Sequence, residues 1–587
     1  MDTLKTPFKE EVTKVDFCVV GGGIAGMIAA ISAARHGASV ALMQDRPVLG
    51  GNASSEIRMW ICGSAGENMH ETGIIEDLQL DNYFFNPDRN FSVWDSILYG
   101  AVRYEPGIRL FLNCSCNSVK MDGDSIVSVT GWQTTTQKWQ TVEAKIFADC
   151  SGDSVLAPLT GAEFRVGREA RAEFGESLGH EKADRRTMGM SCLIQAREMT
   201  TPQPYTPPAW AHKYLSDDDL KPGIGEFAPG GNYWWLELGG MQDSIADTEE
   251  IRDELLKVAF GLWDHYKNHG DHGCANWALD WVGFLPGKRE SRRYMGDYVM
   301  TQVDAETRRA FDDIVAYGGW PLDDHDPHGF EGTTPSNTVI RVKPPYGIPY
   351  RSLYSRNISN LMFAGRNISV THAALSSTRV MCTCGIIGQA AGTAAALAVR
   401  YGLTPRGLYE SGRVTELQQA LLDDDCYIPG VVRDIPALSR AAVLSASAGD
   451  PRALLSGIDR PVDGVAGDFV LPVGGWVGYA FEKPARVAEA RLVFDSDLLR
   501  WRESKYNIRS NYAINYKRLE MPASLVRDFR VEGRLPDGSW TTVAKIADNH
   551  RRMLKVKVGM ELAALRVVPE KMWGGGDTCR FFAFDVR

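Results

Sequence analysis

The sequence predicts an α/β protein that combines a nucleotide-binding βαβ unit, an inserted α+β cap domain and a C-terminal all-β sandwich. Three observations predict this fold. Residues 16–43 have the pattern of a buried strand, a glycine-rich turn, a helix and a second strand. Residues 360–401 repeat the strand–turn–helix pattern, with a short strand, a turn and a long apolar helix beginning near Ser377. Beyond about residue 450, short strand-like runs alternate with Pro, Gly, Asp and Asn turns, which is typical of a β-sandwich.

The chain of 587 residues is too long for one hydrophobic core, because cores stop growing at roughly 250–300 residues. We predict four segments. Residues 1–165 and 336–450 form the two parts of the nucleotide-binding domain, the second with a helical tail. Residues 166–335 form the cap, which is rich in Trp, His and charged residues and has one clear helix near Thr248–Asn268. Residues 451–587 form the sandwich.

Composition and charge argue against a nucleic-acid-binding protein and against a membrane-spanning one. A formal net charge of -10 argues against a general nucleic-acid-binding surface, which needs concentrated Lys and Arg. No stretch of about 18 uncharged apolar residues predicts a membrane span. The N-terminal segment lacks the apolar core of a secretory signal, so we expect a cytoplasmic protein whose eleven scattered cysteines are free thiols. A homo-oligomer is compatible with the sequence.

The glycine-rich turn contains Gly21, Gly23 and Gly26 in the order G-x-G-x-x-G, followed by a helix predicted over residues 27–36. The first glycine permits the turn, the second lets the backbone approach a pyrophosphate, and the third brings helix and strand together. The helix N-terminus offers unpaired N–H groups to the phosphates. The turn therefore predicts an adenine dinucleotide site.

The residue expected to bind the adenosine ribose departs from the usual pattern. A carboxylate normally ends the second strand of such a unit, but this sequence has Gln44 in that place, followed by Asp45. The amide of Gln44 can hydrogen-bond a ribose hydroxyl, and Asp45 is the alternative.

Three later segments carry further small and polar residues: Gly50-Gly51-Asn52 with the following Ala-Ser-Ser-Glu, Asp149-Cys-Ser-Gly-Asp153, and Asn360-Leu-Met-Phe-Ala-Gly-Arg-Asn367. Through them, over about residues 14–435, the chain resembles the two-dinucleotide-binding-domain flavoproteins, and specifically the FAD-dependent oxidoreductase family. The resemblance implies a Rossmann-like domain that holds FAD rather than NAD, because a simple nicotinamide dehydrogenase does not need all three segments.

The resemblance, together with the turn, implies a set of cofactor-binding residues. They are Gly21, Gly23, Ile24, Ala25, Gly26, Gln44, Asp45, Gly50, Gly51, Asn52, Ser151, Gly152, Asp153, Gly365, Arg366, Ser377 and Thr378. Arg366 stands where related flavoproteins usually carry an Asp for the ribityl chain, so we predict that it contacts the pyrophosphate or the ribityl group. No second glycine fingerprint is evident, and the electron acceptor stays open between oxygen, a quinone and another protein.

Four residues are candidates for the chemistry. His372 lies in the linker before the long helix, beside the expected flavin, where an imidazole can take a hydroxyl proton as hydride leaves the substrate. Arg58, Arg289 and Arg379 can hold a substrate oxygen or the flavin, and a salt bridge is the alternative role for each.

Substrate binding is predicted from aromatic and polar residues that suit a sugar ring: Trp234, Trp235 and Glu237, then Trp320 with Asp323, His325 and His328. Of these, Trp235, Trp320 and His325 are the preferred substrate residues, and Glu56 is a further candidate that can hold a substrate hydroxyl. Core packing is the alternative explanation for the aromatic residues. The acidic and His-containing run at 323–328 has ligands too close in sequence to define a coordination shell, so no metal is predicted.

These features favour an FAD-dependent enzyme that oxidises a hydroxyl-bearing carbon of a carbohydrate or glycoside. One alternative is a fumarate-reductase-like enzyme acting on a carbon–carbon double bond of an organic acid. A second is a carbohydrate-binding protein that keeps FAD as a structural group. The C-terminal segment loosely resembles galactose-binding-like β-sandwiches, and a lid or dimerisation module is its other interpretation.

Overall fold

A computed structural model describes residues 8–221, 226–465, 467–500 and 511–587, so the first seven residues of the N-terminal segment lie outside it. The chain divides into two compact units, the first made of Met1–Ser64, Asp88–Leu417 and Lys505–Arg518, and the second of Ala65–Pro87, Gln418–Ser504 and Leu519–Arg587. These bounds differ from the predicted ones. The second unit takes in residues 65–87 because Leu80, on the helix Ile74–Phe85, packs in the core of the sandwich.

A seven-stranded sheet organises the first unit. Its central strand Glu10–Val20 pairs in parallel with Val40–Met43 and with Lys138–Asp149. The carboxyl-terminal half of Lys138–Asp149 also pairs in parallel with Leu361–Phe363, and its first half pairs antiparallel with Ser125–Gln133. Ile108–Phe111 and Cys114–Asp122 complete the sheet. The predicted βαβ unit and its return segment near residue 361 are confirmed.

Two helices pack closely beside this sheet, Ile24–Arg35 after the glycine turn and Met381–Tyr401. A Cβ on Gly388 would lie 2.2 Å from the carbonyl oxygen of Ala25, and one on Gly392 would lie 2.1 Å from that of Ala29. Only glycine therefore allows this approach. Among the described residues, Met381–Tyr401 alone is long and apolar enough to cross a membrane, and 94% of its most apolar window is buried inside the protein.

The predicted single helix from Ser377 to Tyr401 is wrong. The structure has two helices, His372–Thr378 and Met381–Tyr401, because Val380 adopts an extended conformation and serves as the N-cap of the second. The N-terminus of the long helix is therefore at Met381.

The inserted domain contains the predicted helix Thr248–Asn268, with Leu255, Leu262 and Trp263 buried in its core. Its strands form small sheets: Phe164–Arg165, Met190–Ser191, Ile194–Glu198, Glu237–Leu238, Trp277–Val282, Gly287–Lys288, Arg293–Tyr294, Ile314–Gly318, Leu322–His325, Asn337–Ile340 and Tyr346–Pro349. Among the described residues, the α-helices not yet named are Phe91–Arg103, Leu156–Thr160, Arg171–Phe174, Gln302–Thr307, Pro405–Glu410, Val414–Asp423 and Ala437–Ala441.

The second unit is an antiparallel all-β sandwich, as predicted. Its strands are Val443–Ala446, Phe469–Pro472, Val477–Phe494, Val526–Arg534, Trp540–Ile546, Met553–Met572 and Thr578–Val586. Two pairs of predicted short strands are in fact continuous. Val477–Phe494 and Met553–Met572 pair along most of their length, with register shifts after Ala480 and Val487 where the sequence suggested turns.

Candidate active site

A cavity of about 720 Å³ in the first unit has the size of a small-molecule site. Most of the predicted site residues line it. These are Gly21, Gly23, Ile24, Ala25, Gln44, Asp45, Gly50, Gly51, Asn52, Ser151, Gly152, Asp153, Gly365 and Arg366 from the expected cofactor site, and Arg289, Trp320, His325 and Arg379 from the expected substrate site. One cavity therefore joins the two predicted groups.

The glycine turn shows why two of its positions exclude a side chain. Gly21 has a φ of +102°, and a Cβ there would lie 2.4 Å from the backbone nitrogen of Ser151. A Cβ on Gly26 would lie 1.9 Å from the carbonyl oxygen of Gly21. Gly26 thus sets the packing of the turn without lining the cavity, as its helix-packing role requires.

Gly23 has a different environment, because it faces the cavity and the Gly50–Gly51 segment. A Cβ on Gly23 would have only the Cα of Gly51 nearby, at 3.9 Å. Gly23 is also the N-cap of the helix Ile24–Arg35, and glycine has no side chain that could accept hydrogen bonds from the N–H groups of the first turn. The N–H groups of the first helical turn are therefore directed to a space that suits an anion.

Gln44 lines the cavity, but its side-chain amide forms hydrogen bonds to the backbone of the glycine turn and of Val48. Its Oε1 accepts a hydrogen bond of 2.7 Å from the backbone N–H of Gly22, and its Nε2 donates to the carbonyl of Val48 at 3.2 Å. This contradicts the predicted ribose contact by the Gln44 amide. Asp45, whose side chain is 56% exposed, is the carboxylate that the strand end presents to the cavity.

Asp153 and Arg366 form a charged group at the same cavity. The Nη2 of Arg366 donates to Asp153 at 2.8 Å, and Lys288 donates to the other carboxylate oxygen at 2.9 Å. Burial alone would raise the pKa of Asp153, but these two cations lower it to about 2. Arg366 keeps a buried Nε without a hydrogen-bond partner among the described residues. That N–H is a donor suited to a phosphate oxygen.

The turn, the uncapped helix and the orphaned Arg366 N–H fit an adenine dinucleotide. Gly23 and Gly51 leave room for a pyrophosphate, the helix N-terminus and Arg366 supply donors, and Asp45 can accept from a ribose hydroxyl. The residues of this chain are therefore able to hold FAD.

Ser377 and Thr378 do not line the cavity, contrary to prediction. The Ser377 hydroxyl lies 2.5 Å from that of Tyr346 and also donates to the carbonyl of Trp320. Because the long helix begins at Met381, its N-cap Val380 and its first residue Met381 line the cavity instead.

Arg58 and Glu56 also lie outside the cavity wall. The Arg58 guanidinium is held between the rings of Phe91 and Trp281, at 4.6 and 4.2 Å from their centroids, and donates to Gln195. Glu56 is 4.0 Å from Arg46, and burial raises its pKa. Both side chains support the fold around the site, which contradicts the substrate-binding and catalytic roles predicted for them.

His372 is buried between two carboxylates and does not line the cavity, which contradicts the predicted general-base role. Its Nδ1 is 2.8 Å from Glu290 and its Nε2 is 2.9 Å from Asp324. Burial would lower the pKa of His372, but the two carboxylates raise it to about 10. Both nitrogens then donate, and no lone pair is left to accept a proton.

The environment of His372 predicts a pH-dependent stability. Its pKa in the folded protein lies above the ordinary value of 6.5, so its stabilising contribution is complete below that value and is lost as the pH rises through about 10. We expect the melting temperature of the wild type to fall more steeply between these pH values than that of His372→Gln. Thermal unfolding followed by circular dichroism measures this, and parallel curves would contradict the ion triad.

His325 is the imidazole that the structure places in the cavity wall. Its Nδ1 is 2.6 Å from Glu237 Oε2, so the Nδ1–H donates to that carboxylate. Its Nε2 lies 3.5 Å from Asp323 Oδ2, longer than an ordinary N–H···O hydrogen bond of about 2.7–3.2 Å. The pKa of Glu237 would be raised by burial but is lowered by Arg289 and His325, so it stays ionised. Glu237 thereby orients His325 with its Nε2 available for proton transfer.

Two tryptophans supply flat faces to the cavity. Trp320 lines it as predicted, and its indole Nε1 is 3.5 Å from Asp323. Of the two neighbouring tryptophans predicted, Trp234 lines it and Trp235 does not. Trp235 instead packs on Tyr233, with ring centroids 5.7 Å apart, beside the core of the inserted domain. Adjacent residues of this turn point in different directions, which the sequence alone does not resolve.

Arg289 and Arg379 line the cavity but are paired with acidic groups. Arg289 is 3.3 Å from Glu237 and donates to the carbonyl of Trp234 at 2.7 Å. Arg379 is 3.3 Å from Asp323. The positive charges in this part of the wall are therefore compensated by carboxylates.

Sequence reasoning missed part of the wall. Ser115 and Cys116, on the strand Cys114–Asp122, line the cavity although no motif marks them. Asn337 and Val339 enter because their strand Asn337–Ile340 pairs antiparallel with Leu322–His325. Only the hydrogen-bonded pairing of these strands brings them to the site.

Two kinds of solved structure are similar to parts of this chain. No curated protein sequence matches it. Among solved structures, the chain is similar to the E. coli quinol fumarate reductase FrdA, at 14% identity and a TM-score of 0.28, over 70% of this chain and 75% of that one.

Carbohydrate-binding modules are also similar. The family 32 module of Streptococcus pneumoniae EndoD matches 26% of this chain and 97% of its own, at 11% identity and a TM-score of 0.19. The family 32 module of C. perfringens NanJ matches 25% of this chain and 95% of its own, at 9% identity and a TM-score of 0.18.

The family comparison covers the segment that contains the turn, the cavity and the inserted domain. Residues 16–421 match the family described as FAD dependent oxidoreductase. That match extends over more than half of the chain and includes every part of the cofactor site described above. The chain belongs to the FAD-dependent oxidoreductase family, and FAD is its cofactor.

Proposed function

We propose that this enzyme oxidises a hydroxyl-bearing carbon of a carbohydrate or glycoside, with His325 as the general base. The observation that carries the proposal is the Glu237–His325 pair in the wall of the cavity that also holds the glycine turn. Bound FAD supplies the hydride acceptor. His325 Nε2 takes the proton of the substrate hydroxyl, and Glu237 stabilises the imidazolium that forms.

The wall around His325 suits a neutral, hydroxyl-rich ring. Trp234 and Trp320 offer apolar faces, and Asp323 is an acceptor for hydroxyl groups. Burial would raise the pKa of Asp323, but the protonated form of His325, together with Arg379, holds it well below its usual range, so Asp323 stays charged. Such a mixture of flat faces and fixed hydrogen-bonding groups is what sugar rings require.

A fumarate-reductase-like reaction has less support. It needs cations that are free to clamp a dicarboxylate, and the two arginines near His325 are already paired, Arg289 with Glu237 and Arg379 with Asp323. Arg58, the third arginine predicted for that role, is outside the cavity. A dianion would meet the ionised Asp323, which raises the free energy of binding.

Anaerobic flavin spectroscopy separates the two reactions. We expect neutral sugars, glycosides or polyols to bleach the oxidised flavin of the purified enzyme, whereas saturated dicarboxylates leave it oxidised. The matched control uses chemically reduced enzyme and unsaturated dicarboxylates, which should not restore the oxidised spectrum. Bleaching or reoxidation by dicarboxylates alone would overturn the proposal.

A further inference from the structure

Three side chains of the inserted domain converge on one point outside the cavity. Asp217 belongs to the short 3-10 helix Asp217–Asp219, His265 to the last turn of Thr248–Asn268, and His272 to the turn that follows this helix. One ligand atom from each, an imidazole nitrogen or a carboxylate oxygen, lies within 4.8 Å of the other two. The three residues are in the same compact unit and are separate from the residues that act in the proposed oxidation.

The orientation of His265 is that of a metal ligand. Its side chain is fully buried, and its Nδ1 is 2.9 Å from the carbonyl oxygen of Tyr214, which can only accept a hydrogen bond. The proton therefore sits on Nδ1, and the neutral imidazole carries its lone pair on Nε2. That Nε2 faces Asp217 Oδ1 at 2.9 Å. A backbone carbonyl that fixes the tautomer of a histidine is the usual outer-shell support of a metal ligand.

His272 supplies the independent observation that points to a ligand. Its side chain is 91% buried, since only 9% is exposed, and its Nε2 has no hydrogen-bond partner among the described residues. The nearest carboxylate oxygen, Asp217 Oδ1, is 3.9 Å away, beyond hydrogen-bond distance. A buried imidazole nitrogen without a partner is unfavourable, and a metal ion between it and Asp217 would satisfy it.

The spacing of the ligand atoms fits a tetrahedral ion. Bonds of about 2.0–2.1 Å to a tetrahedral zinc place neighbouring ligand atoms roughly 3.3 Å apart. The two distances to Asp217 Oδ1, 2.9 and 3.9 Å, lie on either side of that value, and all three ligand atoms lie within 4.8 Å of one another, so small side-chain adjustments would close the site. The Asp217 side chain is 69% exposed, which leaves solvent access for a water as fourth ligand.

We propose that Asp217, His265 and His272 bind a divalent transition-metal ion, with zinc as the favoured ion because two imidazoles and a carboxylate are among its preferred ligands. The ion ties the segment around Asp217 to the end of the helix Thr248–Asn268. Its role is structural stabilisation of the inserted domain, since the proposed base His325 belongs to a different cluster.

The test uses the full-length, FAD-loaded protein after removal of metal with EDTA. Titration calorimetry with zinc chloride should show one equivalent bound, and zinc should raise the melting temperature because it binds the folded state. In His272→Ala and Asp217→Ala we expect the affinity to fall by more than the roughly 10–100-fold that loss of an outer-shell partner causes. His269→Ala is the matched control, because His269 lies between the two histidine ligands in sequence but contacts Asp264.

Cobalt(II) provides a spectroscopic readout, since a site with mixed nitrogen and oxygen ligands should give the visible absorption of tetrahedral cobalt in the wild type and in His269→Ala only. Flavin content reports whether each variant is folded. Asp217→Ala changes an exposed side chain, so it decides the matter if His272→Ala fails to fold. Wild-type protein that binds no zinc, or His272→Ala and Asp217→Ala proteins that bind it as tightly as the wild type, would overturn the proposal and leave His265 and Asp217 as a simple ion pair.

Discussion

Replacement of His325 by alanine is expected to slow reduction of the bound flavin by substrate about 10²–10⁴-fold, the usual contribution of a general base. FAD should stay bound, because His325 is outside the group of residues at the glycine turn. Glu237 keeps Arg289 as a partner at 3.3 Å, so the variant does not leave that carboxylate without a counter-ion. Stopped-flow measurement of flavin absorbance under anaerobic conditions gives the rate.

Two controls make this result specific. His328→Ala changes a 51% exposed histidine three residues along the chain, bound to Asp326, and should reduce at the wild-type rate. Added imidazole should partly restore the rate of His325→Ala, since it can occupy the space left by the side chain and accept the proton. A structural role for His325 would not be rescued in this way. Unchanged reduction in His325→Ala would remove it from the mechanism.

Gly23→Val is expected to yield folded protein that retains no flavin. In the structure a Cβ on Gly23 has space, with its nearest neighbour at 3.9 Å, so the valine side chain disturbs little of the protein itself. It occupies the space through which the backbone must approach the pyrophosphate. The ratio of flavin absorbance to protein absorbance after purification should therefore fall close to zero, while circular dichroism stays that of a folded protein.

Gly100→Val is the matched control for this substitution. Gly100 lies in the helix Phe91–Arg103, and a Cβ there meets nothing within 4 Å. This variant should keep its full flavin content. A fully loaded Gly23→Val protein would contradict the assignment of the turn as the phosphate site.

The parts of the site that could be predicted are those specified by short segments. Gly21, Gly23 and Gly26 mark the turn because a Cβ on Gly21 or Gly26 would clash with neighbouring backbone, whereas the absence of a side chain on Gly23 leaves the cavity free for a pyrophosphate. The segments around Ser151 and Gly365 follow strands of the same sheet and so arrive at the same edge. The helix Thr248–Asn268 was equally predictable from its length and apolar periodicity.

The catalytic assignment could not be predicted in this way. His325 stands in an acidic run of the sequence and His372 does not, yet the carboxylate that contacts Nδ1 of each ring comes from far along the chain. Glu290 is 82 residues from His372, and Glu237 is 88 residues from His325. Two carboxylates within 2.9 Å hold His372 as a buried imidazolium, whereas His325 lines the cavity and has one carboxylate, Glu237, at hydrogen-bond distance and Asp323 3.5 Å from its other nitrogen. This difference depends on tertiary contacts alone.

The sequence by itself determined the fold class and the dinucleotide turn, because local backbone geometry and the period of buried residues depend on short runs of residues, and its resemblance to the FAD-dependent oxidoreductases implied the cofactor. Only the tertiary structure decided which histidine faces the cavity, where the long helix begins, and that residues 65–87 join the sandwich. Each of those outcomes depends on contacts between buried side chains that are far apart in the sequence. Such contacts contribute to stability only in the folded chain, where burial makes the choice of hydrogen-bond and charge partners decisive.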